Sequence, residues 1–532
     1  MEKAECVLIL GEDLTNTAPM LALAVRQSVR QKPMNKLEEL NIHSWDDKTV
    51  RDAMQQKKGP LFNITPAGTK LDELAKINVH TSPEAIARLG FGIAHFLDDA
   101  NALPGNISED DIQLAKSMAE TIEQAENCVI ISGTSALNQE VLKAAFNISE
   151  ARAVQGKKTG LCLTFYEANS LGLTLIGGKS LSEMDTSVPQ QTLIVLENDL
   201  YRKAPAKKVD ELLASFENTI VVDSLMNTTS SKADYLLPAA TIYESDGHLV
   251  NNEGRIQRFF KVFVKEEGEV LSGHQWIKML SELTVENPLV TLNNIYDYSN
   301  SIEKKYPVFK GLAAYLLPVN YRQGAQKIAR EPHRYSGRTA THANVTVHEP
   351  TPPIDDESPM SFSMEGFHGT PYAPLTPFFH SPGWNSVQAI NKYQIEIGGE
   401  LHRAIPQLHI YNQPNKNGKA PSRFYSITSG DAAASDGWKV LPLYHIFGSN
   451  ELSVVDGGIK ELTPMPYIGV HPETAKKMGW GEKTRVRPAG HPDHSGLPLR
   501  LCAEIPEECV GIPLGLEQMP FIKLEDWKSL ID

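Results

Sequence analysis

Apolar residues along this chain fall into short continuous runs that alternate with stretches of helical spacing. Cys6-Val-Leu-Ile-Leu10 is closed by Gly11, and Thr17 and Pro19 then open a helix carrying Leu21, Val25 and Val29 on one side. Pro60 to Thr65 gives a second strand. Ser82-Pro83 starts a second amphipathic helix with Ile86, Leu89, Ile93 and Phe96 at helical spacing. Ser108 is expected to cap the next helix, with Ile112, Ala115, Ala119 and Ile122 on one face, before Cys128-Val-Ile-Ile-Ser132-Gly133 repeats the strand-then-glycine pattern. A second α/β unit is expected to begin there, with further strands at Gly160 to Phe165, Thr192 to Leu196 and Thr219 to Val222. Strands alternating with helices imply parallel sheets.

The stretch from Asp234 to Phe263 concentrates turn residues and charges. Leu236-Leu237-Pro238 is expected to end a buried strand, since proline lacks a donor and stops a ladder. Ser245-Asp246-Gly247 supplies turn chemistry, and Asn251, Asn252 and Gly254 tolerate positive φ. Glu253, Arg255 and Gln257 then alternate along an extended backbone, which places them on one face, with Glu253 and Arg255 able to pair in a partly dry site.

From Glu331 the texture changes to proline, histidine and hydroxyl residues without a sustained period, the composition of an extended strap. Phe378, Phe379 and Trp384 could anchor it, and His333, His342, His348, His368 and His380 lack the spacing of helical metal ligands. Beyond Val440, short strands at Tyr467 to Val470, Thr484 to Arg487, Leu497 to Ile505 and Val510 to Pro513, with a helix from Pro472 to Met478, suggest a small β-barrel.

A chain of 532 residues with 41% hydrophobic content can bury several cores, about three or four domains by length. Its formal net charge of -14 offers no excess positive field to gather phosphate backbones, which argues against a nucleic-acid partner. No apolar run is long enough to span a bilayer and no basic leader precedes one, so a soluble, unexported chain without direct membrane insertion is expected, free to dock on a membrane complex. The first strand begins almost at Met1, as in a fragment or a split reading frame.

The candidate chemistry is thin. The five cysteines are scattered, so no iron–sulfur site is recognisable, and Cys6, Cys128 and Cys162 lie in apolar runs as small hydrophobes. A zinc set of His491, His494, Cys502 and Cys509 fits no familiar spacing. Gly177-Gly178-Lys179-Ser180 looks like the end of a phosphate loop, but Leu173 stands where that motif needs glycine, and no dinucleotide fingerprint follows any strand.

LLPAAT followed by NNEGRIQRFF resembles the pterin-contacting loop of the molybdopterin oxidoreductase superfamily. The wider set LILGEDLTNT with ALAVRQ, ARLGFGIAHFLDD, VIISGT, VLENDLYR, AREPHRYSGRTA, FSMEG, PGWNSVQAINKYQ and PLYHIFGSNELS is similar, end to end, to the molybdopterin-oxidoreductase-like region of the G-subunit family of bacterial NADH-quinone oxidoreductase, complex I. The resemblance implies two interleaved α/β domains with parallel sheets, then a strap and a double-psi-type β-barrel. Boundaries are expected at 1–105, 106–330, 331–400 and 401–532, with upstream strands of the second α/β domain missing. Asn252, Glu253, Gly254, Arg255 and Gln257 would form a vestigial pterin loop, with no cofactor, metal or catalytic residue in this chain. The family's 2Fe-2S and 4Fe-4S clusters would lie upstream. The implied role is a non-catalytic part of the peripheral arm on the cytoplasmic face of the inner membrane, beside other subunits including the NADH/FMN-binding module. The alternative is a pterin-binding domain of a catalytic oxidoreductase.

Overall fold

The structure is a computed structural model. It describes residues 1–315 apart from 2, 31–36, 38, 41, 43–46, 55–56, 185–189, 264–269 and 284–291, then 408–409, and 437–531 apart from 482, 490–494 and 520. The strap expected at 331–400, its histidines and aromatic anchors, and His491 and His494 lie outside the described residues.

The chain divides into two compact units, one of residues 1–29, 60–316 and 408–532, the other of 30–59 and 317–407. In the second, the described part holds a helix at Asp47–Met54 and a small apolar cluster of Leu37, Ile42 and Val50.

The first unit is built on five parallel strands: β1 (Cys6–Leu10), β2 (Leu61–Thr65), β3 (Ile77–His80), β4 (Asn127–Gly133) and β5 (Lys158–Thr164), in the order β3-β2-β1-β4-β5. The continuous apolar runs of the central β1 and β4 suit a parallel sheet covered on both faces, while β3 and β5 at its edges are more polar. Cys6, Leu8, Leu10, Phe62 and Ile64 face one core with α2 (Pro83–Leu97), α3 (Glu109–Gln124) and α4 (Gln139–Val154); Val7, Ile9 and Leu61 face the other, with α1 (Pro19–Ser28). The expected caps are present: Ser82 accepts from the Ala85 amide at 3.4 Å and Ser108 from the Asp111 amide at 3.1 Å.

Strand β4 does not open a second sheet. Pairing from Cys6↔Cys128 to Ile9↔Ile131 sets it beside β1, and β5 follows on its outer side, so one sheet runs across the boundary expected at 105/106. Local pattern names a strand but not its neighbour, which here lies more than a hundred residues away. Cys6 and Cys128 are fully buried and share a thiol hydrogen bond, and the second thiol keeps the pKa of the first well above its usual value. Arg152 of α4 is also fully buried; it donates to the Ile122 carbonyl, to the Ala125 carbonyl at 2.8 Å and to Thr159 Oγ1 at 3.0 Å, tying the end of α3 to the start of β5.

A short helix, α5 (Ser170–Leu175), is closed by the glycines that resembled a phosphate loop: the Gly177 amide donates to the Thr174 carbonyl and that of Gly178 to Leu173, both at 3.0 Å. Glycines that end a helix in this way present no ring of free amides to a phosphate. The second sheet has three parallel strands, β6 (Gln190–Leu196), β7 (Phe216–Asp223) and β8 (Tyr235–Pro238), in that order. Helix α6 (Ala206–Ala214) covers the face of Leu193, Val195 and Val221. The Leu236-Leu237-Pro238 strand end is not buried as expected: Tyr235 is 56% and Leu236 42% exposed.

Two antiparallel strands, β9 (Gly247–Val250) and β10 (Arg255–Phe259), form a hairpin with Val250 opposite Ile256, and β11 (Leu408–His409) adds to β10. Val250 and Ile256 pack against Phe309, Leu312 and Ile302, the last from α8 (Ile295–Lys305), while α7 (Gly273–Glu282) leads back toward the second sheet, its Trp276 indole donating to the Pro238 carbonyl at 2.8 Å.

The C-terminal strands are β12 (Lys439–Leu443), β13 (Ile468–Val470), β14 (Arg485–Pro488), β15 (Leu497–Leu501), β16 (Cys509–Pro513) and β17 (Leu530–Ile531), ordered β12-β16-β13-β15-β14-β17, with α9 (Pro472–Met478) at the predicted place. The sheet mixes parallel and antiparallel pairs and curls around fully buried Trp527. The Trp438 amide, just before β12, donates to the Lys528 carbonyl, just before β17, at 2.9 Å, drawing the two edges together.

Candidate functional site

The loop singled out in the sequence is the tight turn of the β9–β10 hairpin. Asn251 builds it: its amide donates to the Arg255 carbonyl at 3.0 Å, and its side-chain oxygen accepts from the Glu253 amide at 3.0 Å and the Arg255 amide at 2.9 Å. Gly254 sits at φ 70°, which a Cβ would strain. Glu253 therefore lies in the turn, not on the strand; only Arg255 and Gln257 share a face of β10, with Ile256 turned into the core between them. The Arg255 guanidinium holds the Glu253 carboxylate at 3.1 and 3.2 Å, and the two side chains are 33% and 61% exposed. The pair is present at the edge of solvent, with Arg255 partly buried and Glu253 exposed.

Asn251, Asn252, Glu253 and Arg255 border a cavity of about 1080 Å³. Its floor is the face of β4 and β5 that α1 leaves uncovered, with Val129, Gly160 and Cys162, and α1 supplies Met20 and Leu21 to another wall. Cys162 is thus half-buried, not in the core, and burial first, then the Glu253 charge, pushes its thiol up to about 11.

The other end of that sheet is where an open α/β sheet takes ligands. Strand order reverses between β1 and β4, and a crevice forms beyond their carboxyl ends. Here Glu12 fills it: 1% exposed, it accepts from the Ser135 amide at 2.9 Å, and Thr17 Oγ1 lies 3.2 Å from its other oxygen. Burial pushes its pKa up, against hydrogen bonds from Ser135, Thr164 and Thr17 that pull it down. Asp13 takes up the next donors, from the Thr15 amide at 3.1 Å and Asn16 Nδ2 at 2.5 Å. Outside them remains about 210 Å³, bounded by Asn16, Ser135, Tyr444, His445, Tyr467 and Arg500. His445 Nε2 is 3.0 Å from Tyr467 Oη, and Arg500 lies over the Tyr467 ring at 5.0 Å. Burial, then Arg500, lowers the His445 pKa; burial raises that of Tyr467 to about 12.

This crevice is nearly silent in the sequence. Its one local signal is an acid directly after a strand and its glycine, at Gly11-Glu12. Of the zinc candidates set aside on their spacing, Cys502 and Cys509 lie around the small core of Leu441 and Ile505, and among the described residues no three His, Cys, Asp or Glu side chains are grouped as metal ligands.

A family model described as molybdopterin oxidoreductase matches residues 87–283. The G subunit of NADH-quinone oxidoreductase from Pseudomonas putida is 35% identical over 98% of this chain and 58% of its own length. The corresponding proteins of Salmonella typhimurium, at 36%, and Escherichia coli K12, at 35%, match over 97% of this chain and 57% of theirs. This chain is a homologue of the G subunit of NADH-quinone oxidoreductase. It spans 57–58% of the length of these relatives. Among solved structures, acetylene hydratase from Pelobacter acetylenicus is similar at TM-score 0.48 and 14% identity, over 96% of this chain and 70% of that one.

A pterin cofactor, which the family name implies, does not fit the residues at the switch point. The buried Glu12 carboxyl group lies among the donors there, and about 210 Å³ is less than the roughly 300 Å³ at which small-molecule pockets begin. At the hairpin, Asn251 is committed to the turn and Arg255 holds Glu253.

Proposed function

We propose that this chain, as a homologue of the G subunit, is a structural, non-catalytic part of the peripheral arm of NADH-quinone oxidoreductase. It supports the iron–sulfur-bearing region while the complex passes electrons from NADH to quinone and moves protons. The observation that carries this reading is the open face of the second sheet. Register places Ile194, Ile220 and Tyr235 on one face with Leu196, Val222 and Leu237. Ile194 is 43%, Leu196 46% and Tyr235 56% exposed. On the same face Val222 is fully buried and Leu196 lies against Gly273 of α7, so the cover is partial; parallel sheets carry cover on both faces, and the apolar surface still exposed at Ile194, Leu196 and Tyr235 marks an interaction surface. The partner chemistry is a second layer presenting apolar side chains to strands β6 and β8, which the iron–sulfur-bearing region would provide. Other peripheral-arm subunits, the NADH/FMN-binding module among them, belong to the same assembly. A place on the cytoplasmic face of the inner membrane accords with the absence, among the described residues, of any helix long and apolar enough to cross a membrane.

Co-expression of the chain with the iron–sulfur-bearing region, followed by metal analysis of the purified product, tests this. The expected product is a stable complex containing iron and no stoichiometric molybdenum. One molybdenum per chain would favour a catalytic pterin domain instead, and failure to associate would mean that the open face serves something else.

A further inference from the structure

Glu12 is a buried acid that the structural role leaves without a task. It bridges the loops leaving β1 and β4, and the groups that act on it most are the Ser135 amide and the hydroxyls of Ser135, Thr164 and Thr17. The hydroxyls of Thr17 and Thr164 are shared, since they also lie 2.9 Å from the Asp13 carbonyl and 3.3 Å from the Ser132 carbonyl, respectively. The seat is shaped for the carboxyl group: a Cβ on Gly133 would stand 2.5 Å from Glu12 Oε1 and 2.2 Å from Thr164 Oγ1, so only glycine leaves room at the end of β4. Amide and hydroxyl donors converging at a switch point, beyond the carboxyl ends of parallel strands, are what ligand-binding sheets offer to an anionic group.

We propose that Glu12 is a resident anion. Its carboxyl group occupies, on Ser135, Thr17 and Thr164, the seat that a ligand's anionic group takes in sheets of this topology, and so closes the first sheet to phosphate-bearing ligands. The proposal concerns the chain by itself and does not rest on its place in a respiratory complex, so its failure would leave the docking of the second sheet untouched.

Removing the side chain should reopen the seat. In the full chain carrying Glu12→Ala, inorganic phosphate should raise the thermal midpoint, while potassium chloride at equal ionic strength should not. Wild type and Glu12→Gln, whose side chain still fills the seat, should show no phosphate-specific rise. By calorimetric titration, phosphate should bind Glu12→Ala at least about tenfold more tightly than wild type, a difference of about 1.4 kcal/mol. If Glu12→Ala does not fold on expression, refolding it from denaturant in phosphate and in chloride keeps the question open to test, and recovery in phosphate alone supports the proposal. Equal recovery in both salts, a folded Glu12→Ala indifferent to phosphate, or a wild type that binds phosphate as tightly as the variant would overturn it.

Discussion

Replacing Arg255 by alanine tests the hairpin most sharply when set beside Asn251→Ala. The Arg255–Glu253 pair is 3.1 Å long, but its partners are 33% and 61% exposed. Water screens such a pair, and its loss should cost about 0–1 kcal/mol. Asn251→Ala removes the acceptor for two turn amides, at 3.0 and 2.9 Å, and at ~0.5–1.5 kcal/mol for each hydrogen bond the cost should reach about 1–3 kcal/mol. Asn251→Asp keeps an acceptor in place and should stay near wild type. Native-state amide exchange over 247–259 reads the local opening free energy, independently of whether the whole chain unfolds in one step. Equal deprotection of the hairpin by Arg255→Ala and by Asn251→Ala would refute this ranking. That result would mean the guanidinium holds something more valuable than an exposed carboxylate.

Three further outcomes are expected. Arg152→Met strands the carbonyls of Ile122 and Ala125 in the core, so it should cost ~2–5 kcal/mol and lower the first denaturant midpoint; a change below ~1 kcal/mol would contradict this account of its burial. His248, on β9 opposite Arg258, has its pKa lowered by burial, then by Arg258, from 6.5 to about 4. The folded chain resists a proton that the unfolded chain accepts, so this contribution to stability is present above pH 6.5 and is lost as pH falls toward about 4. His248→Phe should flatten that limb of the stability profile, and an unchanged limb would show that other groups set it. Arg255→Ala should leave NADH-quinone turnover per assembled complex within about twofold of wild type, since binding energy lost at an exposed pair is small; full assembly with loss of both turnover and bound molybdenum would restore the pterin reading.

Much of the fold was legible because its signals are local. An apolar run ended by glycine marks β1 and β4, Ser-Pro and Ser-x-x-Asp mark the starts of α2 and α3, and Pro472 to Met478 is a helix as its spacing says. Sheet membership was not legible. Nothing near Cys128 states that it pairs with Cys6, and the bareness of β8 follows from which layer covers it, not from its apolar sequence. The hairpin was found by its turn residues, yet the exposure of its ion pair depends on how the turn stands off the core. Glu12 was passed over for a similar reason: its main donor is Ser135, and only the folded sheet makes an acid at that position a buried one.

The most direct test of the structural role is to place a charge on the open face. Leu196→Asp adds a carboxylate where a 46% exposed leucine stands, so the isolated chain should keep its fold, with surface substitutions usually within about 0.5 kcal/mol. Sedimentation of wild-type chain with the iron–sulfur-bearing region should show a one-to-one complex, and Leu196→Asp should weaken it at least about tenfold, because the complex would have to bury an unpaired charge. A folded Leu196→Asp chain that assembles as tightly as wild type would contradict the account.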